Sequence, residues 1–212
     1  MPLVNIAERH NGSTIAVWEI TETEEMLRRY LAEDVDKSLL SGHPRRRLER
    51  LATQVLLNTM TTERACLCHH ENGRPYLENN KANISISHTK RFVAVIYNEN
   101  ETVGCDIECC MRDFSAVEKK ALSDEERAYL SDEHRNFQLC ILWCAKETIY
   151  KCVSEDGIDF AQQIFIEKFL PEEKGTLTAR YTNNAGLVTK FRLQYKTIDD
   201  HVMVWTRKMD ED

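Results

Sequence analysis

Residues 143–151, Trp-Cys-Ala-Lys-Glu-Thr-Ile-Tyr-Lys, carry the first group of side chains that could do chemistry. Trp143, Lys146, Glu147, Tyr150 and Lys151 stand at i, i+3, i+4, i+7 and i+8, a spacing that gathers them on one face of a helix. Taken alone, this is an amphipathic core helix with an i,i+4 ion pair between Glu147 and Lys151. A second stretch changes that reading. In Val103-Gly104-Cys105-Asp106-Ile107-Glu108, apolar and polar residues alternate as in a strand. Period two then places Asp106 and Glu108 on the same side. Two carboxylates held side by side repel unless a cation or a proton lies between them. With Glu147 brought against them, three hard oxygen donors converge, which is the donor chemistry Mg2+ selects.

The elements that must position these groups are a helix over residues 134–153 and a strand over residues 103–108. Their order and content resemble the 4′-phosphopantetheinyl transferase family, whose signature is an (I/V)-G-x-D-x-E strand followed by a W-x-x-K-E-x-x-x-K helix. Three looser motifs fall in the family's order: Gly73-Arg74-Pro75, Ser87-His88-Thr89 and Leu122-Ser123-Asp124-Glu125-Glu126. One departure is Ser85, where the family commonly has Asn two residues before the Ser-His pair.

The resemblance implies an enzyme that moves the phosphopantetheine arm of coenzyme A onto a serine of an apo carrier protein. It implies Mg2+ on Asp106, Glu108 and Glu147, Glu147 as base, and Lys151 at the leaving phosphate. Lys146 is implied as a second phosphate-facing ammonium, and Arg47, Arg50, Arg74, Ser87 and His88 as contacts to coenzyme A. It further implies an α+β pseudo-dimer of two similar halves, residues 1–101 and 102–212, with the active site at their interface, acting as a monomer. Trp143 is expected to pack and fix the helix.

Composition bounds the remaining readings. A chain of 212 residues with a net charge of −7 is a globular protein with room for a sizeable core. It is not a general nucleic-acid binder, so an anionic ligand must meet a local basic cluster. The opening residues are polar and no apolar run approaches membrane-spanning length, so a cytoplasmic protein is expected. Eight cysteines without a secretory signal point to free thiols. Cys140 and Cys144, one turn apart, read as core residues of the long helix. Cys66, Cys68, His69 and His70 form a metal-like cluster that lacks a second ligand pair, and structural or incidental cysteines are favoured there. Two rivals remain: another Mg2+-dependent phosphotransferase, which would lack any Gly-rich phosphate loop, and a non-catalytic module holding zinc through that cluster.

The other elements follow from periodicity. Residues 14–20 read as a strand, and Thr21 with Glu24 as a capping box for a helix through residue 31. Pro44 opens a helix over residues 45–60 whose first turns carry Arg45, Arg46, Arg47 and Arg50. Cations at a helix N-terminus oppose the macrodipole, so local stability does not account for them, although a solvated charged face remains the commoner explanation. Residues 83–88 and 92–97 alternate as strands, Ser123 with Glu126 makes a capping box, and four strands fill residues 163–207. Residues 98–101 link the two halves.

Overall fold

A computed structural model describes residues 8–10, 12–31 and 37–207. The chain divides into two compact units, Met1–Asn100 and Glu101–Asp212, both mixing helices with antiparallel sheet. Among the described residues no helix is long and apolar enough to cross a membrane.

The first unit carries β1 (Glu8–His10), β2 (Ser13–Glu19), α1 (Glu24–Tyr30), α2 (Pro44–Met60), β3 (Leu67–His69), β4 (Pro75–Leu77), β5 (Asn83–His88) and β6 (Phe92–Asn98). Its main sheet has the order β1-β2-β6-β5, and β3 with β4 makes a separate hairpin. Leu51, Ala52, Val55 and Leu56 recur at helical spacing in α2 and are buried against Ala16, Trp18, Ile84, Val93 and Val95 of the sheet. The His43 imidazole accepts from Arg45 N at 3.3 Å, and Pro44 occupies the first turn, where its missing N–H costs nothing. The N-cap of α1 is Thr23, which accepts from Met26 N at 3.3 Å, not the expected Thr21. The helix begins at Glu24, so Thr23 holds the half-in position and Thr21 instead donates its N–H to Glu22.

The second unit runs β7 (Val103–Cys109), α3 (Ser115–Ala121), α4 (Asp124–Ala128), α5 (Arg135–Val153), α6 (Phe160–Gln163), β8 (Ile164–Ile166), β9 (Lys174–Thr182), β10 (Val188–Ile198) and β11 (His201–Arg207). Its sheet has the order β7-β11-β10-β9-β8, antiparallel throughout. One face of α5 is apolar over its whole length, with Leu139, Leu142, Ala145, Ile149 and Cys152 in a core shared with Leu177, Phe191, Leu193, Val202 and Val204. Cys140 and Cys144 are fully buried there, as core residues. The helix stops at Ser154, which adopts the left-handed conformation (φ 52°) and returns its N–H to Tyr150 O. Two elements differ from the sequence reading. Asp159 caps the short α6, which takes in residue 163 where a strand was expected to start and leaves β8 three residues long, and β9 begins at Lys174.

Gly104 decides how close β7 comes to α5. A Cβ added there would collide with the carbonyl oxygen of Thr148 and press on Cys152 Cβ. Only a residue without a side chain permits this approach. Gly104→Ala should therefore lower the urea midpoint by an amount equivalent to about 1–3 kcal/mol. A midpoint within error of the wild type would refute the close-packing account.

Candidate active site

Asp106 and Glu108 leave β7 on the same side and meet α5. The two-residue period of the strand sets their spacing, and Val204 and Val202 stand opposite them on β11. Lys151 Nζ donates to Asp106 Oδ1 at 2.7 Å and to the Cys105 carbonyl at 3.2 Å. Trp143 Nε1 donates to Glu108 Oε1 at 3.2 Å, and its ring packs against Phe160 at 5.6 Å. Trp143 thus orients one carboxylate while fixing the helix. Arg112, which the sequence reading did not single out, donates to the same Glu108 oxygen at 2.9 Å. It follows β7 in an irregular loop where no periodicity marks it. Asn136 Nδ2 holds that loop through the carbonyls of Cys110 and Arg112 at 2.8 and 3.0 Å.

Charge accumulates around these groups. Burial, with Asp106 and Glu108 nearby, pushes the Glu147 carboxyl up to about 7, against the opposing pull of Lys151. Burial and Asp106 also raise Glu108, although Arg112 and Trp143 work against the shift. For Lys151, burial acts to lower the pKa, but Asp106 and Glu147 outweigh it and the ammonium is held above the ordinary lysine value. The three carboxylates therefore feel one another, yet they do not form a ready-made cage. Among the described residues, the group of metal-type donors that all fall within 4.8 Å of one another is Cys109, Asp200 and His201 instead. The donor set nonetheless fits a magnesium ion: three hard oxygen donors, two of them raised by burial and by neighbouring carboxylates, are what a divalent cation stabilises.

Lys146 goes elsewhere. It is fully buried, 2.8 Å from Glu126 Oε2, and donates to the carbonyls of Phe160 at 2.9 Å and of Ile164. Burial pulls its pKa down, with Glu126 opposing. Glu126 Oε1 accepts from Ile166 N at 2.9 Å, while Oε2 closes the capping box with Ser123. The sequence reading gave Glu126 only the cap. The structure shows the 122–126 motif and Lys146 as one strut between α4, α5 and β8. Lys146 is thus not a phosphate-facing group in this arrangement.

The first unit holds a cavity of about 560 Å³ lined by Arg46, Glu49, Arg50, His69, Ile86 and His88, among others. Glu49 is 3% exposed and bonds Arg45 and Arg46, both at 3.0 Å, with His88 at 3.6 Å. This carboxylate offsets the basic first turn that the macrodipole disfavours. Arg47 instead pairs with Glu24 at 2.9 Å and donates to Gly42 O, tying α2 to α1, so Arg46 lines the cavity where Arg47 was expected. Arg50 lines the cavity and also bonds Ser41. Ser87 is buried in β5. Arg74 lines a separate groove of about 580 Å³ with His70, Tyr76 and Lys81. Cys66 and Cys68 are free thiols, exposed and half-buried.

The sequence model of the 4′-phosphopantetheinyl transferase superfamily matches residues 102–206, nearly all of the second unit. The chain belongs to that superfamily through this unit. No curated protein matches the chain.

Two measurements test these assignments. Between the ordinary glutamate value of 4.5 and about 7, folded Glu147 keeps a proton that the unfolded chain has lost. Its contribution to stability is therefore complete below pH 4.5 and disappears as pH rises through 7, a change of about 3 kcal/mol. In chelator-treated protein, Glu147→Gln should flatten the fall in urea midpoint across that range, and parallel profiles would contradict the assignment. Glu126→Gln should cost about 3–5 kcal/mol by leaving Lys146 buried and unpaired. A loss under 1 kcal/mol would mean that the pair is not a structural strut.

Proposed function

We propose that the protein transfers the 4′-phosphopantetheine arm of coenzyme A to a serine of an apo carrier protein, releasing 3′,5′-ADP, in a Mg2+-dependent reaction. The observation that carries this reading is Asp106 and Glu108 on β7 facing Glu147 and Lys151 on α5, inside the unit that matches the superfamily.

Asp106, Glu108 and Glu147 are the residues that would hold the ion. The chemistry a bound Mg2+ supplies there is charge neutralisation at the diphosphate of coenzyme A. Glu147, the carboxylate that α5 brings to the site, accepts the proton of the carrier serine hydroxyl as that oxygen attacks phosphorus. Lys151, kept cationic by Asp106, stabilises the negative charge that collects on the departing phosphate. Trp143 and Arg112 hold Glu108 in orientation. Chemistry of this kind relies on positioning and charge neutralisation, and these side chains supply both.

Recognition of the phosphorylated ribose and adenine is assigned to the basic cavity of the first unit, through Arg46, Arg50 and His88, with Ser87 and Arg74 as further contacts. That assignment, the pseudo-dimeric arrangement around one active site and a monomeric state rest on the resemblance. Arg46 alone enters from the cavity lining, in place of Arg47.

The test is the mass of an apo acyl carrier protein after incubation with this protein, coenzyme A and Mg2+. We expect a gain of one phosphopantetheine unit, absent without metal. Glu147→Ala should slow the gain by about 100-fold or more. Coenzyme A binding with no mass gain on several unrelated carriers would move the activity to a different phosphate chemistry.

A further inference from the structure

The opposite face of β7 carries a second set of donors. Cys109 ends β7 directly across from His201, the first residue of β11, so the sheet register fixes this pair. Asp200 lies in the two-residue turn that joins β10 to β11, where Asp199 takes a positive φ of 52°. Cys110 N donates to Asp200 O at 2.8 Å, which ties the turn to the end of β7. The Asp200 carboxylate then faces both neighbours. Oδ1 is 2.9 Å from His201 Nδ1, and Oδ2 is 3.6 Å from Cys109 Sγ. One donor atom from each of the three residues falls within 4.8 Å of the others. His201 is buried, Cys109 is half-buried and Asp200 is exposed, so solvent reaches the group from the carboxylate side.

We propose that Cys109, Asp200 and His201 form a three-ligand site for a borderline-soft divalent cation of the zinc type, with solvent in the fourth position. Three features of the donors point there. A thiolate, an imidazole and one carboxylate oxygen are the mixed S, N and O donors that zinc takes and magnesium does not. Ligands about 2.0–2.3 Å from one tetrahedral ion stand roughly 3.3–3.8 Å apart, so the observed separations need only small side-chain rotations. The donors come from two paired strands and a tied turn, so binding requires little ordering of the backbone. As the ion binds, the Cys109 thiol gives its proton to solvent, while His201 offers the lone pair of a neutral ring nitrogen. The site differs from the carboxylates in donor type and in the face of β7 that it uses: Asp106 and Glu108 point to α5, and Cys109 points the other way. It does not depend on the transferase reading.

The experiment is a Co2+ titration of the full chain, reduced, stripped with chelator and kept in excess Mg2+ so that the carboxylates are not the sites being read. We expect one equivalent of Co2+ with a thiolate-to-cobalt charge-transfer band in the near ultraviolet, displaced by Zn2+. Cys109→Ser should abolish the band, and His201→Asn should weaken binding at least tenfold. Asp200→Asn, a near-isosteric change in an exposed turn, should also weaken it. The double variant Cys66→Ser/Cys68→Ser should keep the band, since that thiol pair sits beside His69 and His70 and is the obvious competitor. Circular dichroism of each variant confirms folding. A band that survives Cys109→Ser, a band lost with Cys66→Ser/Cys68→Ser, or no stoichiometric uptake would each overturn the proposal. None of these results bears on phosphopantetheine transfer, whose failure would show only in the carrier-mass assay.

Discussion

The close contact between the backbone of β7 at Gly104 and the Thr148 carbonyl of α5 governs the second unit. It brings a strand carrying two carboxylates against a helix carrying a third carboxylate and a lysine. Once the elements touch there, Lys151 reaches Asp106 and Trp143 reaches Glu108 without any loop having to move. The glycine is therefore part of the chemistry even though it has no side chain. A wider spacing would let solvent in and separate the charges, relaxing both the burial and the repulsion that raise Glu147.

That repulsion has to be resisted elsewhere. Carboxylates crowded at a half-buried site destabilise the metal-free fold, and the second unit answers with a large core beneath α5 and a buried ion pair on its far flank. Lys146 and Glu126 satisfy one another, three backbone carbonyl and N–H groups and a helix cap in a single network. Such a network contributes more to a unique arrangement of α4, α5 and β8 than to net stability. The first unit uses the same device on a smaller scale, with Glu49 buried under two arginines and a histidine.

β7 is consequently two-sided in its chemistry. Its alternation sends hard oxygen donors to one face and, at its end, a thiol to the other. Which donors a face presents, carboxylates or a thiol beside an imidazole, is decided by the parity of the position along the strand.

Local periodicity was enough to read much of this from the chain. Period two placed Asp106 and Glu108 together, the helical repeat placed Glu147 and Lys151 together, and the Ser123–Glu126 cap was legible because its partners lie within one turn. Those relations depend only on backbone geometry, so they hold before any tertiary contact forms. Periodicity did not say which charged side chains on a face are spent internally. Lys146 shares the apparent face of Glu147 but points to Glu126, and Arg47 sits one residue from Arg46 but turns to Glu24. Nor did it join Cys109 to His201, which are distant in sequence and adjacent only through the β7–β11 register. These outcomes were decided by tertiary structure, because a buried charge takes the partner that the crossing chain brings to it, and no local repeat encodes where the chain crosses.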